Sequence, residues 1–320
     1  MKYALSALLV PLCLPAAGLA ANLQWGLDND VLFKSDGDYT NGMFLSYSSS
    51  ITGLDTTHPV ARLVPYRQTD DLRFNWFVQL GQKMWTPSDT KIRAPLPDER
   101  PYAGQLYVDT GFMVFDEHST FRMSVMGGIV GPSAGAEFSQ KWVHNLIGNS
   151  KPKGWDYQVK DQMVAELMMD YDRLFTRIPG ERGDHEFSGY GSLAAGNLQP
   201  QVAAGLGWRW GKSLASNFNA AALRPFRQKP MVLDNLNNSW FLYGNLEARY
   251  RFDDITLNGD TPREVPDVTL EKGQGTAALG VVGFREKFGA GFSVVAYSKS
   301  FKEDKESTHY TSALTLYWLL

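Results

Sequence analysis

The sequence predicts an all-β fold: an antiparallel up-and-down transmembrane β-barrel of about twelve strands. Three observations predict it. An N-terminal export signal opens the chain, and period-two alternation recurs through the rest with large aromatic residues on the apolar parity. An alternating strand then ends on the last residue, Leu320. A soluble β-sandwich or a lipocalin-like barrel would share the alternation but not the other two features.

The signal is read from Lys2, an apolar run from Tyr3 to Leu12, and the stretch Pro-Ala-Ala-Gly-Leu-Ala, whose Gly18 and Ala20 suit cleavage after Ala20. The run is too short to cross a bilayer as a helix, and no later stretch reaches the ~18 consecutive apolar residues that a spanning helix needs. Residues 1–20 are therefore expected to be a signal peptide and residues 21–320 one outer-membrane barrel domain. The single cysteine, Cys13, lies inside the signal, and Leu12 before it is too bulky for a lipoprotein cleavage box. A mature chain without cysteine has neither disulfides nor thiolate chemistry. The net charge of −3 argues against nucleic acid as a partner. An anionic ligand must be met by local cations or a bound metal.

The strands follow in order. Leu23, Trp25 and Leu27 alternate with Gln24, Gly26 and Asp28, and Met43, Leu45 and Tyr47 with Phe44, Ser46 and Ser48. Phe74, Trp76, Val78 and Leu80 alternate with Asn75, Phe77, Gln79 and Gly81. Further strand-like segments lie near 103–115, 119–130, 160–175, 184–195, 199–210, 240–252, 274–285 and 289–300, before the closing series Tyr310, Leu314, Leu316, Trp318 and Leu320. Segment 160–175 also fits a helical period through Val164, Leu167, Met168 and Tyr171. From Glu137 to Gly148 the period changes. Phe138, Trp142, Leu146 and Ile147 have helical spacing, closed by Gly148, and Gln140 and His144 share a face. Residues 256–275 form a long polar loop.

Topology brings three unusual segments together. With both termini in the periplasm, the connection after every odd-numbered strand lies outside. Residues 30–40, 87–101 and 131–156 should therefore meet at the extracellular end, with the short helix in the last of them. Asn29, Asp30 and Thr40 are polar residues with no evident part in sheet stability, and are candidates for a reaction centre. Parity places Asp30 with Gln24, Gly26 and Asp28, and Thr40 with Gly42, Ser46 and Ser48, both lumen-facing sets.

Of the five histidines, only His144 is on the loop helix, where an imidazole suits a general base. Asp30 suits either a hard cation such as calcium or the orientation of a base; a turn carboxylate capping its own backbone is the plain alternative. Asp36-Gly37-Asp38 resembles the start of a calcium loop without the rest of the EF-hand pattern. Lys91, Arg93 and Arg100 either meet a phosphate or form a solvated rim. No Gly-x-Ser-x-Gly elbow occurs. For a hydrolytic site, water activated by His144 fits better than a serine nucleophile, with a metal ion polarising the carbonyl.

The chain resembles the outer-membrane lipid A 3′-O-deacylase family, the LpxR-like proteins. Matching segments are Asn29-Asp30, Asp38-Tyr39-Thr40-x-Gly42, Gly81-Gln82-x-x-Trp85-Thr86-Pro87, Asp98-x-Arg100-Pro101-Tyr102-Ala103-Gly104 and Gly131-Pro132-x-Ala134-Gly135. The last runs into Gln140-x-x-x-His144-x-x-Ile147-Gly148 and Gly154-Trp155-Asp156-x-Gln158. The second half resembles the family mainly in strand pattern and in Leu257-Asn258-Gly259.

The resemblance implies a twelve-stranded barrel with its site between lumen and outer leaflet. It also implies Ca2+-dependent hydrolysis of the 3′ acyloxyacyl ester of lipid A, the lipid anchor of lipopolysaccharide. His144 would be the base, Asp30 and Asn29 would shape the metal and base environment, Thr40 would line the site, and Gln140 would lie beside His144. Lys91 and Arg93 are candidates for the family's basic pair. A monomer in the bacterial outer membrane is expected. The alternatives are an outer-membrane phospholipase, for which a serine nucleophile would be expected, and a non-catalytic pore or structural barrel.

Overall fold

The computed structural model describes residues 21–30, 37–55, 57–64, 71–148, 150–215, 218, 230 and 238–320. The expected signal, residues 1–20, and Asp36 of the calcium-like tract lie outside them. The strands are β1 (Asn22–Asn29), β2 (Asp38–Ser48), β3 (Thr52–Leu54), β4 (Leu72–Thr86), β5 (Ala103–Phe115), β6 (Ser119–Val130) and β7 (Gln162–Ile178). They continue as β8 (Asp184–Gly196), β9 (Gln201–Gly211), β10 (Trp240–Arg251), β11 (Gly273–Arg285), β12 (Phe288–Ser298) and β13 (Thr308–Leu319). Among the described residues two α-helices, α1 (Ala136–Ile147) and α2 (Ile255–Asn258), lie in connections.

Every strand except β2 pairs antiparallel with the next, β13 returns to β1, and β2 pairs with β4 to close the sheet. The short β3 is not a separate stave. Ser48 lies opposite Phe77, and Thr52 resumes opposite Phe74, so β3 prolongs β2 along the same edge of β4. The barrel is therefore a closed twelve-strand antiparallel one. Closure leaves no strand edge to be satisfied by lipid, the condition for a sheet to cross hydrocarbon. No helix among the described residues is long and apolar enough to do so.

Segment 160–175 resolves as strand, not helix: β7 pairs with β6 from Gln162 opposite Val130 to Arg173 opposite Ser119. Pairing partners on both sides override the local helical period. The connection expected to be purely loop at 256–275 carries α2, whose first turn is capped by Asp254 accepting from the Thr256 N–H at 3.0 Å.

Alternation sorts the two faces. Met43, Leu45, Leu80, Val108, Val125, Leu206, Leu246, Leu279 and Leu314 are exposed on the outer parity and form an apolar belt around the wall. The inner parity is polar and cross-braced. The Ser46 hydroxyl donates to Gln79 Oε1 at 2.8 Å, and Gln79 Nε2 donates to the Tyr107 hydroxyl at 2.9 Å. Towards the end that holds the termini, the buried Glu186 carboxylate takes Arg177 Nε at 2.7 Å and Arg209 Nε at 3.0 Å. The Arg209 guanidinium also lies 5.1 Å from the Phe241 ring centre. The opposite end, the distal rim, carries the connections after β1, β4, β6, β8, β10 and β12.

Glu186 neutralises two guanidinium groups inside the wall, so its loss should be costly. Glu186→Leu is expected to destabilise the barrel by about 3–5 kcal/mol, the usual cost of breaking a buried pair. The drop would appear as a lower urea midpoint in detergent; an unchanged midpoint would contradict this account of the interior.

Candidate active site

Register sets up the distal rim. Asn29 lies opposite Asn41, Asn41 opposite Met84, and Met84 opposite Gly104, so four neighbouring strands carry one lateral row. The row spans three inter-strand spacings, about 14 Å. Asn29 has the parity of Leu23, Trp25 and Leu27, and Gly104 that of Leu106 and Val108. The row therefore belongs to the outer face of the wall. Asn29 also faces Ser312 of β13, whose hydroxyl donates to the Asn29 carbonyl at 2.9 Å. The Asn41 amide donates to the Asp28 carbonyl at 2.9 Å.

A β-bulge interrupts β2 between Tyr39 and Asn41. Alternation counted from Gly42 would turn Thr40 inward, but one extra residue breaks the count. The Thr40 hydroxyl meets that of Thr86 at 2.7 Å, and Thr86 continues the outward series Leu80, Gln82, Met84. Tyr39 turns inward instead, its hydroxyl donating to Asp28 Oδ2 at 2.9 Å. Asp30, one residue beyond β1, where the strand alternation ends, is buried; its N–H reaches the Thr40 carbonyl at 3.4 Å.

Helix α1 docks on the outer face. The Ala136 methyl packs over Gly104, where an added Cβ would lie 2.5 Å from it. Met84, Tyr102, Ala136 and Trp155 form one buried cluster. Gln82 Nε2 donates to the Ala134 carbonyl at 2.7 Å, tying the approach to the helix down to β4. Gly148 ends the helix with a φ of 76° and its N–H on the His144 carbonyl. Glycine reaches that left-handed conformation without strain.

Two side chains of this helix are oriented by the segment on its C-terminal side. Gln140 is buried, and its Oε1 accepts from Trp155 Nε1 at 2.7 Å, which leaves Nε2 as the donor end. His144 places Nδ1 2.7 Å from the Ser150 carbonyl oxygen. A carbonyl only accepts, so in the neutral ring Nδ1 carries the proton and Nε2 keeps the lone pair. A base held in one tautomer by a hydrogen bond to its other nitrogen is the arrangement general-base catalysis uses.

The cations divide. Arg100 is buried and ion-paired with Asp38, and it donates from Nη2 to Thr256 Oγ1 at 2.9 Å, with its guanidinium 5.7 Å from the Trp85 ring centre. Ser300 adds a hydroxyl to Asp38 at 2.8 Å. Arg100 thereby ties together the connections after β1, β4, β10 and β12. Lys91 and Arg93 stay on the surface of the loop after β4, Arg93 paired with the exposed Asp156 at 2.7 Å.

A polar cavity occupies the distal half of the lumen, lined among others by Asp38, Lys83, Arg100, Tyr107, Glu166 and Arg249. Of the candidate site residues, Arg100 lines it, as does Asp38 of the calcium-like tract; Asn29, Asp30, Thr40, Gln140, His144, Lys91 and Arg93 do not. Lys83, whose ammonium lies 5.5 Å from the Tyr107 ring centre, escaped notice because its strand reads as ordinary alternation. No group of three His, Cys, Asp or Glu residues able to hold a metal occurs among the described residues. Asp30 offers a hard carboxylate of the kind calcium takes, and calcium completes its shell from backbone carbonyls, amides and water as readily as from acids.

The model of one family, described as outer membrane protein LpxR, matches residues 4–320. Among solved structures, LpxR from Salmonella typhimurium is similar with a TM-score of 0.77 and 17% identity, covering 93% of this chain and 100% of that one. The β domain of the Bordetella autotransporter BrkA has a TM-score of 0.44 and 10% identity, over 93% and 97% of the two chains. The translocator domain of the autotransporter NalP from Neisseria meningitidis gives 0.38 and 10%, over 95% and 90%. No curated protein matches.

The close seat of α1 on the wall depends on the missing side chain at Gly104. Gly104→Val is expected to lift the helix, giving faster hydrogen exchange across residues 136–148 while strand amides stay protected. Unchanged exchange in the helix would show that Gly104 does not set its docking.

Proposed function

The chain belongs to the LpxR family of outer membrane proteins, and we propose that it is a lipid A deacylase that hydrolyses the ester of the 3′ acyloxyacyl chain with water activated by His144. The observation that carries this is the His144 imidazole: its Nδ1 is held by the Ser150 carbonyl, on a helix seated against the outer face of the wall. That face is where a membrane lipid lies.

In this proposal Nε2 of His144 takes a proton from water, and the resulting hydroxide attacks the ester carbonyl. The proton then passes to the departing sugar oxygen as the acyl chain leaves. Gln140, oriented by Trp155, offers amide N–H groups beside the base. Asn29, in the outward row, supplies a second polar side chain, and Thr40 lies next to that row through its bond to Thr86. Calcium, when bound, would polarise the ester carbonyl, with Asp30 as its carboxylate ligand. Lys91 and Arg93, at the surface, are the cations suited to the phosphates of the substrate; Arg100, committed to Asp38, acts as framework. The distal rim would face the cell exterior, where lipopolysaccharide resides, and the barrel would act as a monomer.

His144→Ala should leave a folded, heat-modifiable barrel and lower acyl release by on the order of 100- to 10,000-fold, the usual worth of a general base. Mass spectrometry of lipid A reads the outcome directly; release at the native rate sinks the mechanism. Chelation should abolish activity and added calcium restore it. Full activity in chelator would remove calcium from the mechanism while leaving the base intact.

A further inference from the structure

Helix α1 has a second face that the proposed chemistry does not use. Phe138, Trp142 and Leu146 are 75%, 58% and 70% exposed, and they repeat every four residues along one line. They lie opposite Ala136, which packs on the wall, and the buried Gln140. A water-exposed helix ordinarily turns its apolar side chains inward and its polar ones out. Here the order is reversed.

The helix packs on the outer parity of β4 and β5, through Met84 and Gly104. The same parity, one and two steps further down those strands, carries the exposed Leu106, Val108 and Leu80. Met163 on β7, opposite Ile129, is exposed on the same outer face. The exposed line of α1 thus looks out from the same outer face as the belt by which the barrel meets hydrocarbon. Its flank is polar, with Glu137 and Lys141 ion-paired one turn apart.

We propose that α1 is an interfacial helix, embedded by Phe138, Trp142 and Leu146 among the acyl chains of the leaflet at the distal rim. Its occupant is lipid, not a second protein. An aromatic and aliphatic line of this kind lies in the interface plane with its apolar side a few ångströms into the acyl boundary. Trp142 suits that depth, since indole favours the boundary between headgroup and hydrocarbon. The placement rests on the membrane location of the family, not on the reaction. If the deacylase proposal also holds, the helix carries His144 at a fixed depth beside the substrate's ester bonds.

The test is site-directed spin labelling of the full chain in lipid vesicles, with single cysteines placed by Phe138→Cys, Trp142→Cys, Leu146→Cys, Lys141→Cys and, as a belt reference, Leu106→Cys. The parent chain, labelled in parallel, corrects for Cys13. Labels at 138, 142 and 146 should collide with oxygen several-fold more than with a water-soluble nickel chelate, as at 106, while 141 shows the reverse. Equal accessibility to the nickel chelate at 142 and 141 would place the face in water and overturn the proposal. Protection from both reagents would mean a protein partner covers it and would overturn the proposal equally. The readout needs no catalysis, so a failed deacylase assay leaves it untouched.

Discussion

A sheet in hydrocarbon tolerates no open edge, and in this barrel that condition is met where β2 pairs with β4. The pairing skips a whole connection. Residues between Ser48 and Leu72 include β3, yet β3 only lengthens the edge that β2 has begun. Once closure is set, each register is set with it, and the row Asn29, Asn41, Met84, Gly104 becomes one line across the outer face. The same closure produces an interior lined with polar side chains, which must satisfy one another. The contacts of Gln79 with Ser46 and Tyr107, and of Glu186 with Arg177 and Arg209, do this across several strands.

The distal connections are held by a buried ion pair. Arg100 and Asp38, with Thr256 and Ser300, join loops that are up to 262 residues apart in sequence. Breaking such a pair costs far more than an exposed one, because the remaining charge has no water to turn to. Its place inside the lumen contrasts with that of α1, which sits outside. The rim therefore has two chemically different sides, a charged lumen and a helix-covered outer wall. The proposed base belongs to the second.

Much of this was legible in residue order. Alternation from Leu23 to Leu27 and from Met43 to Tyr47 marked strands and their wet faces, since side chains on a strand have no choice but to alternate. Spacing from Phe138 to Leu146 marked a helix, and Gly148 its end. Where the alternation was counted through an irregular point, it failed. The bulge at Thr40 adds one residue to β2, and a count from Gly42 cannot see it. Segment 160–175 was ambiguous for the opposite reason: its own pattern allowed two periods, and only β6 and β8 on either side decide for a strand.

By itself, then, the sequence determined the closed all-β architecture, the place of helix α1 and the family, because each depends on local periodicity or on short motifs. Which partners the side chains at the rim take was decided only in three dimensions. Arg100, read as a candidate for phosphate, is committed to Asp38; Gln140 is oriented by Trp155 and His144 by Ser150; Lys83 enters the lumen from an unremarkable strand. None of these partnerships has a signature in spacing. They arise where separate connections are pressed together at one rim, and only the closed barrel sets which of them touch.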